Sequence, residues 1–199
     1  ACETASIKVV YTSRKFIAEA GLEAEAAAIE EVATLVYLED LRDDVSLKHK
    51  LRAAFAAYLP KLSYRLRQPQ QNPQGDCVIL FTSGSEGIPK GVVLTHANII
   101  ANRAQLQTLI SLTHEDIVLN ILPLFHAFGL LGGTLVPMLD GAKIVCYPSP
   151  LHYRIIPELS YQLGATILFG TNTFLAGYAK HGHPFDFHKM RFIVAGAEK

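Results

Sequence analysis

Cysteine is scarce in this 199-residue chain, which has only Cys2, Cys77 and Cys146. An odd and sparse set excludes a disulfide framework and predicts reduced thiols on a cytosolic face, with Cys77 and Cys146 buried in apolar strand-like runs. A surplus of either charge is also lacking. Lys and Arg number 18, as do Asp and Glu, and they are interspersed along the whole length. This excludes the basic footprint of a nucleic-acid binder and points to a small-molecule partner. The opening ACETASIKVV has neither the basic start nor the apolar core of a signal peptide and does not begin with Met. The closing RFIVAGAEK stops directly after an apolar run. Both termini are therefore expected to be cut points within a longer protein. Charge is absent altogether from residues 117–139, a run long enough to span a bilayer. Its Asn120, Pro123, His126, Pro137 and three glycines, with the flanking acids Glu115, Asp116 and Asp140, predict a buried strand, turn and helix instead.

Half of the residues are hydrophobic, enough for a sizeable core. Residues 7–10 read as a strand, and Thr12 and Ser13 offer an N-cap to a helix reaching about Ala20. A helix at 24–31, a strand at 34–38 and a helix at 47–59 follow. Residues 67–76 are rich in Pro, Gln and Asn and read as a linker. They separate a first, partial α/β subdomain (1–66) from a second (77–199). In the second, strands are expected at 77–81, 92–94, 117–122, 143–147, 166–169 and 192–195, and helices at 97–110, 155–163 and 173–179. This alternation predicts an α/β fold with a mostly parallel sheet flanked by helices, and ligands at the carboxyl ends of the strands.

The segment with the most chemical content is FTSGSEGIPKG at 81–91, where hydroxyls and glycines crowd between two apolar strands ahead of one Lys. Glycines let backbone N–H groups approach phosphate oxygens, hydroxyls add donors, and an ammonium offsets the charge on a departing pyrophosphate. A polar hairpin loop would not need that ordered run. The P-loop of nucleotide triphosphatases requires Gly before the Lys and Ser or Thr after it, whereas this chain has Pro89 and Gly91.

TSGSEGIPKG closely resembles the phosphate-loop signature of the adenylate-forming (AMP-binding) superfamily, which includes acyl-CoA synthetases, luciferases and peptide-synthetase adenylation domains. Most members carry Thr where this chain has Glu86. LPLFHAFG at 122–129 resembles the family's second core motif, FGTNTF at 169–174 a pocket-lining stretch, and AGAEK at 195–199 the segment whose backbone lines the adenine. The resemblance implies the N-terminal domain, in part, of an adenylate-forming enzyme. It further implies that Thr82, Ser83, Gly84, Ser85, Gly87 and Lys90 hold the phosphates of ATP with Mg²⁺, while Gly196, Ala197 and Glu198 meet the adenine. Lys90 and His126 become the candidate catalytic residues, and His126, Phe128, Gly129, Phe169, Gly170 and Thr171 the acyl-site residues. The activity implied is AMP-forming ligation of a fatty acid to a pantetheine thiol, on acyl carrier protein or CoA.

SEG in the loop, YPSPLHYRIIPEL at 147–159, LFGTNTF and VAGAEK together resemble one subgroup, the bifunctional bacterial acyltransferase/acyl-carrier-protein synthetases of phospholipid acylation. That likeness implies an upstream acyltransferase domain and a parent associated with the bacterial inner membrane. Several family motifs do not occur in these residues, so the piece by itself is expected to bind ATP weakly and not to turn over; a noncatalytic binding fragment is the alternative in another class. An amino-acid adenylation domain is a third, but no acidic residue lies between 159 and 182 to meet a substrate amine. His181, His183 and His188 read as local residues rather than metal ligands. Glu39, Asp40, Asp43 and Asp44 read as a solvated loop and helix start.

Overall fold

The computed structural model describes residues 2–67, 72–82 and 90–198. These fall into two compact units, one drawn from 1–72 and 81–92 and the other from 73–80 and 93–199.

In the first unit β1 (Val9–Thr12) pairs in parallel with β2 (Thr34–Tyr37) through the helices α1 (Arg14–Ala20) and α2 (Glu23–Glu30). The expected N-cap is present: Ser13 accepts from Phe16 N–H, and Gly21 closes α1 at φ +64°, a left-handed conformation that glycine adopts without steric cost. The acidic stretch is α3 (Leu38–Asp43) rather than a loop. It is held by Asp40, which takes both terminal nitrogens of Arg14 at 2.7 and 2.8 Å. α4 (Leu47–Tyr58) matches the helix expected at 47–59, and α5 (Pro60–Arg67) follows where no helix was expected. Proline is well tolerated in a first helical turn, where its absent N–H has no partner to lose.

β3 (Asp76–Thr82) and β4 (Lys90–Thr95) form a two-stranded sheet. Asp76 thus belongs to a strand and Arg67 to a helix, while residues 68–71 of the expected linker lie outside the described residues. β4 runs into α6 (His96–Gln107) through a capping box, in which Thr95 accepts from Asn98 N–H and the Asn98 side chain accepts from Thr95 N–H.

The second unit is built on a four-stranded, fully parallel sheet in the order β6-β5-β7-β8: β5 (Ile117–Asn120), β6 (Lys143–Cys146), β7 (Ile167–Gly170) and β8 (Phe192–Ala195). α8 (Ile155–Leu163) and α9 (Asn172–His181) connect the later strands. Val118, Leu119, Ile167, Leu168 and Phe169 are essentially inaccessible, as continuous apolar strands covered on both faces require. Residues 117–139 resolve into β5, a turn, a wide π-helix (Phe128–Leu135) and α7 (Val136–Leu139). No helix among the described residues is long and apolar enough to cross a membrane. Cys77 and Cys146 lie on strands as expected, yet both are exposed. β6 is an edge strand and β3 belongs to a two-stranded sheet, so neither has neighbours on both sides.

One carboxylate ties the strand starts together. Asp116, buried at the head of β5, accepts from Thr166 Oγ1 at 2.8 Å, from Thr113 N–H at 2.9 Å and from Arg191 at 2.6 Å. Thr166 leads into β7 and Arg191 into β8, while the Asp116 carbonyl accepts from Lys143 N–H, the first residue of β6. Burial works against the Asp116 charge, but the bonds from Thr166, Thr113 and Arg191 outweigh it and hold the carboxyl below its ordinary range. Removing it should leave the Arg191 guanidinium and Thr166 hydroxyl without their acceptor. Asp116→Ala is therefore expected to cost about 3 kcal/mol in urea denaturation. A carboxyl depressed in the fold stabilises above its unfolded pKa and loses that contribution as pH falls through the folded value, so the wild-type advantage over Asp116→Ala should shrink in acid.

Candidate functional site

The carboxyl ends of β5, β7 and β8 bring together most of the residues that the acyl-site and adenine motifs nominate. Strand alternation places Asn120, Phe169 and Val194 in one register row on one face of the sheet. The π-helix covers that face, because Gly132 lies within van der Waals range of the Phe169 ring and Gly133 lies against the Asn120 amide. A Cβ at Gly133 would overlap that amide, so only glycine allows the approach.

Asn120 is the residue that sequence reasoning missed. Fully buried, it donates through Nδ2 to the Gly129 carbonyl at 3.1 Å and to Thr134 Oγ1 at 2.9 Å, and accepts from Leu122 N–H at 3.1 Å. Thr134 in turn donates to the Gly129 carbonyl. The turn carrying LPLFHAFG is thus fastened to the end of β5 by a satisfied polar network. The available signal was a lone Asn at the end of an apolar strand.

Fastened this way, the π-helix presents Phe128 edge-on to Phe169, with ring centroids 5.5 Å apart. The same Phe128 ring lies 3.3 Å from where a Gly196 Cβ would stand, so Gly196 makes room for the aromatic. Gly196 N–H donates to the Gly170 carbonyl at 3.1 Å, joining the ends of β8 and β7. Ala197 then adopts φ +65°, a left-handed conformation costing about 1 kcal/mol for a residue with a Cβ. Phe169, Gly129 and Gly170 are buried, so they support the surface that Phe128 offers rather than lining it themselves. His126 is exposed in the turn, its ring 4.6 Å from that of Phe125.

Thr171 and Glu198 meet at the start of α9. Thr171 is the N-cap, accepting from Phe174 N–H, and Glu198 Oε2 accepts from Thr173 N–H at 2.9 Å. That backbone bond, with the Thr173 and Thr171 hydroxyls, holds the Glu198 carboxyl below its ordinary range against desolvation. The side chain of Glu198 is therefore a fastener for the 195–198 turn.

In the first unit, Thr82 ends β3 and Lys90 begins the paired strand β4, both exposed. Ser83, Gly84, Ser85 and Gly87 lie outside the described residues, as does Glu86. An apolar cavity of about 310 Å³ in the second unit, lined by Leu168, Leu175, Tyr178, Pro184, Phe187 and Ile193, opens on the sheet face opposite Phe128 and Phe169. His181, His183 and His188 each bond to nearby backbone, and no group of three metal-ligating side chains occurs among the described residues.

Compared with known proteins, residues 1–199 match throughout the family described as AMP-binding enzyme. The chain belongs to the AMP-binding enzyme family. It is 35% identical over 120 residues to a medium-chain fatty-acid–CoA ligase of Escherichia coli, covering 59% of this chain and 21% of that protein. It is 39% identical over 80 residues to a medium-chain-fatty-acid–[acyl-carrier-protein] ligase of Teredinibacter turnerae, covering 40% of this chain and 12% of the other. The matched stretches thus span only about an eighth to just over a fifth of the length of these relatives. Its fold is that of O-succinylbenzoate coenzyme A synthetase from Bacillus subtilis, solved in complex with AMP, with a TM-score of 0.72 over 98% of this chain and 35% of that one at 18% identity. The expected α/β fold, with a parallel sheet and flanking helices of an adenylate-forming N-terminal domain, is present.

Two outcomes test this geometry. Gly133→Ala should displace the Asn120 amide and destabilise the chain by about 1–3 kcal/mol in thermal or urea unfolding. The Glu198 carboxyl, followed by NMR, should titrate below an ordinary glutamate together with the Thr173 amide. Its stabilising contribution should be present above the ordinary glutamate range, vanish as pH falls through the depressed value, and be absent from Glu198→Gln.

Proposed function

We propose that this chain is the phosphate-loop part of an AMP-forming ligase that activates a fatty acid and passes it to a pantetheine thiol. The observation carrying the reading is the exposure of Thr82 and Lys90 at the two ends of the TSGSEGIPKG loop, on paired strands, where a hydroxyl and an ammonium are free to meet polyphosphate oxygens.

In this reading the substrate carboxylate oxygen attacks the α-phosphorus of ATP, the bond to the β,γ-pyrophosphate breaks, and acyl-adenylate forms. Lys90 stabilises the negative charge gathering on pyrophosphate, and Thr82 with the loop backbone orients the phosphates. The thiol sulfur, as thiolate, then attacks the acyl carbonyl and AMP leaves, giving a thioester. Gly196 and Ala197 offer backbone to the adenine, and His126 and Phe128 border the acyl group. Mg²⁺ carried on the phosphates would neutralise their charge.

A fatty acid is favoured over an amino acid by the Phe128–Phe169 pair and the lack of any acidic residue between 159 and 182. The likeness of SEG, YPSPLHYRIIPEL, LFGTNTF and VAGAEK to the bifunctional subgroup supports acyl carrier protein as acceptor and phospholipid acylation as the purpose.

The test is Lys90→Ala in the whole parent protein, which should lose roughly 2–4 kcal/mol of transition-state stabilisation in acid-dependent pyrophosphate exchange. Lys15→Ala, at an exposed position of α1, should leave the rate unchanged. Unaltered exchange in Lys90→Ala, or exchange driven by amino acids and not by fatty acids, would refute the reading.

A further inference from the structure

Residues 47–67, LKHKLRAAFAAYLPKLSYRLR, carry Lys48, Lys50, Arg52, Lys61, Arg65 and Arg67 and no acidic residue. One third of the chain's 18 basic residues thus falls on α4 and α5, in a protein whose formal charge is zero. Among the described residues, no ion pair engages Lys48, Lys50, Arg52, Lys61 or Arg65.

The apolar residues of these helices are just as unusual. Helical spacing puts Leu47, Leu51, Phe55 and Tyr58 on one stripe of α4. They are 72%, 64%, 40% and 87% exposed, whereas Ala56 on the opposite side is partly covered. Lys48 and Lys50 flank the stripe on either side. α5 packs on α4 and adds Leu62 and Leu66, 46% and 70% exposed, next to Lys61 and Arg65. Isolated exposed leucines are ordinary, but a contiguous apolar stripe rimmed by cations marks a surface built to be covered.

The charge and the stripe together select the cover. Phosphodiester headgroups match the unpaired cations, and the Lys and Arg stems can run along the apolar stripe while their charges stay at the headgroups. The acyl boundary beneath accepts Leu47, Leu51 and Phe55, with Tyr58 at the level of the headgroups. A nucleic acid would use the cations and leave the stripe in water. At 12 and 8 residues, α4 and α5 are too short to span a bilayer and suit a helix pair lying in its plane. We propose that the α4–α5 pair is a docking element for the surface of an anionic lipid bilayer. The inference is independent of the reaction assigned above.

The chain has no tryptophan, so Phe55→Trp provides a unique fluorescent reporter on the stripe. Its emission should shift to the blue with vesicles of phosphatidylcholine and phosphatidylglycerol, be quenched by brominated acyl chains, and stay unshifted with phosphatidylcholine alone or in high salt. Adding Lys48→Glu, Lys50→Glu and Arg52→Glu should lower the partition coefficient roughly a hundredfold or more. Adding Leu51→Asp and Tyr58→Asp should remove the quenching. These side chains face solvent, so the far-UV circular dichroism should persist in every variant. The proposal is overturned if the reporter alone shows no shift with anionic vesicles, if the charge-reversed variant partitions equally, or if a double-stranded oligonucleotide shifts the emission and vesicles do not.

Discussion

The Asp116 carboxylate is the constraint on which the second unit depends. A parallel sheet has no hairpins to register its strands, and every connection crosses a face before the next strand begins. Asp116 supplies registration at the amino ends, holding Thr166 before β7 and Arg191 before β8, with its own carbonyl on the first residue of β6. The side chain is buried, and Arg191 and Thr166 compensate its desolvation. The arrangement is worthwhile only while all its partners are present, since a buried carboxylate stripped of them would be costly.

Registering the strands at one end leaves the other end free to carry chemistry. At the carboxyl ends the polar groups are used differently: Asn120 fastens a turn, Glu198 fastens a helix start, and Gly133 and Gly196 permit close approach. Phe128 is the product of these arrangements, held against Phe169 on one side and Gly196 on the other. The Phe128 ring and the backbone at Gly196, which leaves β8, are consequently neighbours. The left-handed Ala197 sits where the chain leaves β8 to form that backbone, and strained residues of this kind concentrate at functional turns.

The sequence by itself determined the element types almost throughout, because apolar periodicity, caps and glycine stops are local signals. Ser13 caps α1 where the sequence offers it, and the TSGSEGIPKG and AGAEK segments stand out in the sequence because they are contiguous. Three features were not legible. The helix α5 was not expected, although a first helical turn accepts Pro60. Cys77 and Cys146 read as buried because sequence alternation does not say which strands have neighbours on both sides. Asn120 reads as a breaker in an apolar run and Asp116 as its acidic flank, and the pattern does not reveal their partners, which for Asp116 lie up to 75 residues away. The strand order, the partners of buried polar groups and the meeting of Phe128 with Gly196 were decided only by tertiary structure, because each depends on which distant segments the sheet places side by side.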